Sequence, residues 1–235
     1  MISNNWIALL ITFSVAVIWL RINNYASQKG WIPNQISRKI IHMGTGLFFV
    51  LCWPLFPDSP YSPYFAALVP LVITLQFILV GTGIIKDEAA VVSMSRSGDR
   101  REILRGPLYY GIVFVLLTVL YWFETPTGIV ALMLMSGGDG LADILGRRFG
   151  RVHLPWNEDK TLMGSLGMFL GGWLFVAAVL AVYIYLGFFP RPWSNYLPGV
   201  TLIALAGTLV ESLPFRDVDN LTIPLAAVIL APLLF

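Results

Sequence analysis

The order of hydrophobic and polar residues divides this chain into long apolar runs separated by short polar stretches. A hydrocarbon core about 30 Å thick is crossed by roughly 20 apolar residues in a helix. By that measure eight segments stand out: residues 5–22, 40–57, 64–85, 106–123, 126–145, 164–189, 198–215 and 221–235. The last two are short, which leaves seven spans as the alternative. No repeat of fixed period and no long hydrophilic insert interrupts the series. The pattern predicts one all-α polytopic membrane domain over residues 1–235. The first run starts at Trp6 with no basic residue before it and no small-residue cleavage site after it. It reads as a span, not as a secretory signal or transit peptide.

Composition removes the soluble alternative. Hydrophobic residues make up 57% of the chain, charged residues 12%, and the mean hydropathy is +0.76. A soluble domain carries about 25% charged residues. Charge position then sets the orientation, because Lys and Arg collect on the cytoplasmic side. With eight spans, the loops near 23–39, 86–105, 146–163 and 216–220 share one side. With the adjoining span ends they hold every one of the 15 Lys and Arg residues except Arg191. That side is therefore expected to be cytoplasmic, with both termini opposite. The 13 acidic residues interspersed among the basic ones leave no basic stripe for nucleic acid. Cys52 is the only cysteine, so no internal disulfide forms, and its apolar setting predicts a packed thiol.

The chemistry concentrates between residues 136 and 171. Asp139 and Asp143 lie four apart, on one face if the helix continues through them. Carboxylates near the end of an apolar span need pairing, hydration or a cation, and their oxygens with retained water suit Mg²⁺. The competing reading pairs them with Arg147 and Arg148. Gly137, Gly138, Gly140 and Gly146 permit tight turns or close helix packing. Arg147, Arg148 and Lys160 can neutralise a polyphosphate, whereas Arg151 fits topology alone. Thr161, Gly164 and Ser165 follow Lys160 and open an apolar helix, whose first amides can hold an anion. The order is neither a Walker A loop nor a Rossmann fingerprint.

Two further polar islands stand out. Glu211 precedes Arg216, Asp217, Asp219 and Asn220. Glu211, in a short apolar span, is expected to pair with a core arginine or join the cation site, while Asp217 or Asp219 caps the last helix. His42 stands one turn after Arg38 and Lys39 and is a general base, a phosphate contact or a packed histidine. His153 falls in a polar loop and reads as solvated. One cysteine and two distant histidines do not make a zinc site.

Four stretches taken together, RKIIHMGTG (38–46), GDGLADILGRRFG (138–150), NEDKTLMGSLGMFLGG (157–172) and VESLPFRDVDNLTIP (210–224), resemble the polyprenol kinase family, most closely the phytol kinases. Dolichol kinases and CTP-phosphatidate cytidylyltransferases are more distant in likeness. The resemblance implies CTP-dependent phosphorylation of phytol, with geranylgeraniol as a second substrate, in a salvage route toward tocopherol, phylloquinone and chlorophyll. It implies that Asp139 and Asp143 hold Mg²⁺, that Lys160 and Arg147 gather phosphate charge, and that His42 or an acid takes the hydroxyl proton. Arg38, Lys39, Gly138, Gly140, Arg148, Asn157, Thr161, Gly164, Ser165, Glu211, Asp219 and Asn220 would surround the nucleotide at the cytoplasmic face. The lysine block reads DKT where DKS is expected, and threonine keeps the hydroxyl. Plant relatives carry an organelle-targeting segment before the matching region, which this chain lacks. That departure points to a cyanobacterial source and to its plasma or thylakoid membrane, with membrane lipids as neighbours. The same acids and lysine would serve a CTP-dependent lipid cytidylyltransferase, and buried acids in broken helices would serve an ion-coupled transporter. Nothing in the sequence fixes the oligomeric state.

Overall fold

The structure is a computed structural model that describes residues 2–95, 97–215 and 218–235, apart from the side chains of Asn34 and Gln35. Arg216 and Asp217 of the last polar island therefore lie outside the described residues. The chain forms two compact units, Met1–Val119 and Leu120–Phe235.

Each apolar segment expected from the sequence is helical. The first unit holds α1 (Asn5–Gln28), α2 (Asn34–Leu51), α3 (Ser62–Thr82), the short α4 (Glu88–Met94) and α5 (Gly106–Leu120). The second holds α6 (Thr127–Met133), a π-helical segment (Leu134–Asp139), α7 (Gly140–Phe149), α8 (Leu162–Tyr185), α9 (Trp193–Ser212) and α10 (Asp219–Leu234). Between α7 and α8 lies an antiparallel hairpin, β1 (His153–Leu154) and β2 (Asn157–Thr161).

Among the described residues, five helical stretches are long and apolar enough to cross a membrane: Asn5–Gln28, Ser62–Thr82, Arg100–Leu120, Thr127–Phe149 and Leu162–Tyr185. The protein is an all-α, multi-pass membrane protein with one small hairpin. The other three expected segments fall outside this set. α2 places Arg38, Lys39 and His42 in its first half. α9 contains Pro198 and a buried glutamate. α10 has 16 residues, about 24 Å at 1.5 Å per residue, short of a hydrocarbon core.

The first unit shows how small residues build a membrane core. On α1, Ala8, Thr12 and Ala16 recur every fourth residue and are buried, while Trp6, Leu10 and Ile18 on its other faces are exposed. Lipid tails are as apolar as leucine, so helices gain by close contact of small residues, not by hiding hydrophobes. Thr12 returns its hydroxyl to the Ala8 carbonyl at 2.8 Å, so the hydroxyl itself is satisfied within the helix. Tyr110 on α5 reaches α2, donating to the His42 carbonyl at 2.8 Å, with the two rings 4.2 Å apart.

The second unit is built around the continuous helix 127–149. Ile129 through Met135 are fully buried, and α8, α9 and α10 pack against this helix. Glycines set its separation from α8. A Cβ on Gly167 would meet the Leu141 carbonyl oxygen at 2.7 Å and the Ala142 Cα at 3.0 Å, and one on Gly138 would meet the Met168 methyl at 2.6 Å. Backbone therefore lies against backbone across this seam. The π segment at Ser136-Gly137-Gly138-Asp139 widens one turn of the helix at the acidic motif, where such bulges commonly serve function.

Candidate active site

The site is assembled in the second unit from the π segment, the hairpin, the end of α9 and the start of α10. The hairpin comes first. Pro155 and Trp156 form a two-residue connection between Leu154 and Asn157, and the Leu162 amide closes its base on the Val152 carbonyl at 2.9 Å. Trp156 donates its indole N–H to the Ser212 carbonyl at 3.2 Å. Asn157 donates its amide to the carbonyls of Ser212 and Leu213 at 3.1 and 3.2 Å. The last carbonyls of a helix have no partner within it, so the hairpin tip supplies one for α9.

That docking brings Lys160 to two carboxylates. Its ammonium donates to Glu211 Oε1 at 2.5 Å and to Asp219 Oδ2 at 3.1 Å. The Glu211 side chain is only 5% exposed, and those of Lys160 and Asp219 are each 22% exposed. Burial disfavours the ammonium, but the charges and hydrogen bonds of Glu211 and Asp219 outweigh it and raise the Lys160 pKa above the ordinary lysine value. Glu211 Oε2 is buried without a hydrogen-bond partner among the described residues. Asp139, half-buried at the end of the π segment, lies near enough to act electrostatically on Glu211. Glu211 and Asp219 thus hold Lys160 between them, and Asp139 bears on Glu211 from the π segment.

The other expected residues take definite positions. Asp143 does not stand beside Asp139 as a free carboxylate: its Oδ1 accepts from Arg147 Nε at 2.9 Å, the arginine pairing weighed against metal binding in the sequence. Arg147 is about half exposed, and Arg148 lies over the Phe149 ring at 5.5 Å. Gly138 and Gly140 take the helix-packing alternative offered by the sequence. They lie inside the helix, where the Gly140 amide bonds back to Ser136 and Gly137 and Gly138 faces Met168. The start of α8 is also less open than expected, because Thr161 caps it, accepting from the Gly164 amide at 3.1 Å. The Ser165 hydroxyl is buried with no hydrogen-bond partner among the described residues. Glu211 pairs with a lysine, not an arginine. Asp219 is the first residue of α10 and turns to Lys160, while Val218 holds the cap position without a side-chain bond. Asn220 follows it, half-buried. His153 is not simply solvated, since its Nδ1–H donates to the Glu158 carbonyl at 2.6 Å across the hairpin. Arg38, Lys39 and His42 stand in the first unit, Lys39 buried and the other two half-buried.

Among the described residues, no three His, Cys, Asp or Glu side chains converge to hold a metal by themselves. Arg147 occupies one oxygen of Asp143, and Asp139 is the neighbouring carboxylate on the same helix. The donor set still fits an ion that arrives with phosphates, since Mg²⁺ in phosphoryl-transfer sites usually takes one or two carboxylates and completes its shell with phosphate and water. Trp156 and Ser212 were not foreseen. The signal for the hairpin was present as Pro155 followed by Asn157, both favoured in turns, but its docking on α9 is a long-range contact.

The chain is 42% identical over 230 residues to a protein of Triticum aestivum named probable phytol kinase, chloroplastic, covering 97% of this chain and 77% of that one. It is 45% identical over 206 residues to probable phytol kinase 1, chloroplastic, of Oryza sativa, covering 87% and 66%. It is 39% identical over 211 residues to phytol kinase 1, chloroplastic, of Arabidopsis thaliana, covering 89% and 69%. No family model and no solved structure matches the chain. The matched relatives are plant proteins named as chloroplastic, so the cyanobacterial source expected from the sequence finds no support among them.

Proposed function

This chain belongs to the phytol kinase family, and from that membership we propose that it transfers the γ-phosphoryl group of CTP to the hydroxyl of phytol, releasing CDP. The whole chain acts as one membrane kinase domain, with eight spans placing the Lys160 cluster at the basic, cytoplasmic face of a plasma or thylakoid membrane. Geranylgeraniol is a second substrate, and the product enters prenyl-alcohol salvage.

The observation that carries this reading is the position of Lys160. An ammonium has three N–H donors. Glu211 and Asp219 take two of them, which fixes the nitrogen and leaves the third for a phosphate oxygen. Phosphoryl transfer depends mainly on positioning and electrostatic stabilisation, and a lysine held by carboxylates on two helices provides both. Asp139, with Asp143 once released from Arg147, would hold Mg²⁺, which neutralises phosphate charge when bound. Arg147, about half exposed, is placed to exchange its carboxylate for the nucleotide. The alcohol oxygen bonds the γ-phosphorus as the bond from phosphorus to the β–γ bridging oxygen breaks, and the hydroxyl proton passes to one of the acids. The lipid alcohol stays in the bilayer, its chain among exposed apolar faces such as Leu166 and Leu170 of α8.

Asp139→Ala tests the assignment. The variant should insert into membranes as the parent does and make no phytyl phosphate, and normal CTP-dependent turnover would overturn it. Label from γ-labelled CTP should appear on the lipid. Label from the α position would instead mean nucleotidyl transfer, and tracer uptake with no phosphorylated lipid would mean transport.

A further inference from the structure

We propose that Asn157 is a positioning residue for Lys160 and not a nucleotide contact: its carboxamide latches the hairpin to the end of α9, and the latch holds the ammonium where phosphate is transferred. The inference rests on the kinase reading above only for its kinetic test.

The hydrogen-bond capacity of Asn157 is used inside the fold. A carboxamide has two donors and a carbonyl acceptor. The donors go to the carbonyls of Ser212 and Leu213, and the acceptor takes the Asp159 amide at 3.2 Å. The residue is 9% exposed. Little of it is left for a nucleotide. Its partners are telling, because Ser212 directly follows Glu211, the closest partner of Lys160. One strand, β2, is therefore fastened to one helix end twice, through Asn157 at its start and Lys160 near its close. Trp156 adds its indole N–H to the same Ser212 carbonyl and, at 3.3 Å, to the Ser212 hydroxyl.

The physical need is plain. Lysine is a point charge on a flexible four-carbon stem. Two carboxylates can fix its nitrogen only if strand and helix end keep their register, which a two-strand hairpin cannot do alone. The buried carboxamide supplies that register without adding charge to a site already rich in acids.

Full-length protein in lipid nanodiscs, assayed with phytol and γ-labelled CTP, tests the latch through Asn157→Ala and Trp156→Phe. Loss of an interaction felt only in the transition state lowers kcat, whereas loss of a ground-state contact raises KM. N157A should lower kcat roughly 10–100-fold, as expected for a misplaced catalytic group, with KM for CTP and for phytol little changed. W156F should lower kcat in the same direction by less. A raised KM for CTP at unchanged kcat, or wild-type kinetics in N157A, overturns the proposal. If N157A is not recovered folded, W156F decides, and wild-type kcat in that variant overturns it. Melting reads the latch without turnover: the N157A/K160A pair should lose less than the sum of the single losses, and simple addition overturns it. A parent protein that makes no phytyl phosphate would refute the kinase reading while this melting test still judges the latch.

Discussion

Replacing Lys160 by alanine probes the centre of the site most directly. Glu211 is 5% exposed and Lys160 22% exposed, so the substitution strips a buried carboxylate of its ammonium partner. Removing one partner of a buried ion pair costs about 3–5 kcal/mol, more than the net value of the pair, because the remaining charge is left uncompensated. At roughly 2–4 °C per kcal/mol for a domain of 150–250 residues, K160A should melt roughly 6–20 °C below the parent. Adding Glu211→Gln removes the stranded charge. K160A/E211Q should therefore recover a substantial part of the loss, although neither variant restores turnover. The measurement is thermal unfolding of purified protein in detergent, followed by size-exclusion recovery. A K160A protein that melts with the parent would refute the reasoning, as would a double variant no more stable than K160A.

Other outcomes follow from the same geometry. Gly167→Leu should prevent folding or cost about 1–3 kcal/mol or more from overpacking, because its side chain would enter the backbone of Leu141 and Ala142; the yield of monodisperse protein reads this. Arg147→Ala should change stability by no more than about 1 kcal/mol, since half-exposed pairs contribute little, while lowering turnover with CTP if the arginine exchanges Asp143 for phosphate. The pH dependence has a definite sign. The folded-state pKa of Lys160 lies above its ordinary value of 10.5, so the ion-pair contribution is complete below that value and is lost only as pH rises through the raised one. The melting difference between parent and K160A should therefore hold constant from neutral pH to about pH 10, the ordinary lysine range. A difference that fades within that interval would contradict the assignment.

Apolar segments are legible one at a time, because a bilayer demands about 20 apolar residues wherever a helix crosses it, whatever the rest of the chain does. That local demand is why the apolar segments of this sequence could be read as helices, and why Asp139, Lys160 and Glu211 stood out as polar residues in or beside apolar runs. Their chemical types were legible too, since each is costly in such a setting without a partner. Which partner each one finds is a different kind of information. Lys160 and Glu211 are 51 residues apart and Lys160 and Asp219 are 59 apart, and no periodicity reports a distance of that kind. Only the docking of the hairpin on α9 decided that Lys160 meets two carboxylates, that Asn157 serves the backbone of Ser212 and Leu213, and that Asp219 is a counter-ion instead of a cap. The glycines divide in the same way: the sequence left tight turns and close helix packing both open, and the tertiary structure set Gly167 against the backbone of a neighbouring helix. Hydropathy depends on each residue and its near neighbours, whereas hydrogen bonds and ion pairs depend on which surfaces the chain brings together.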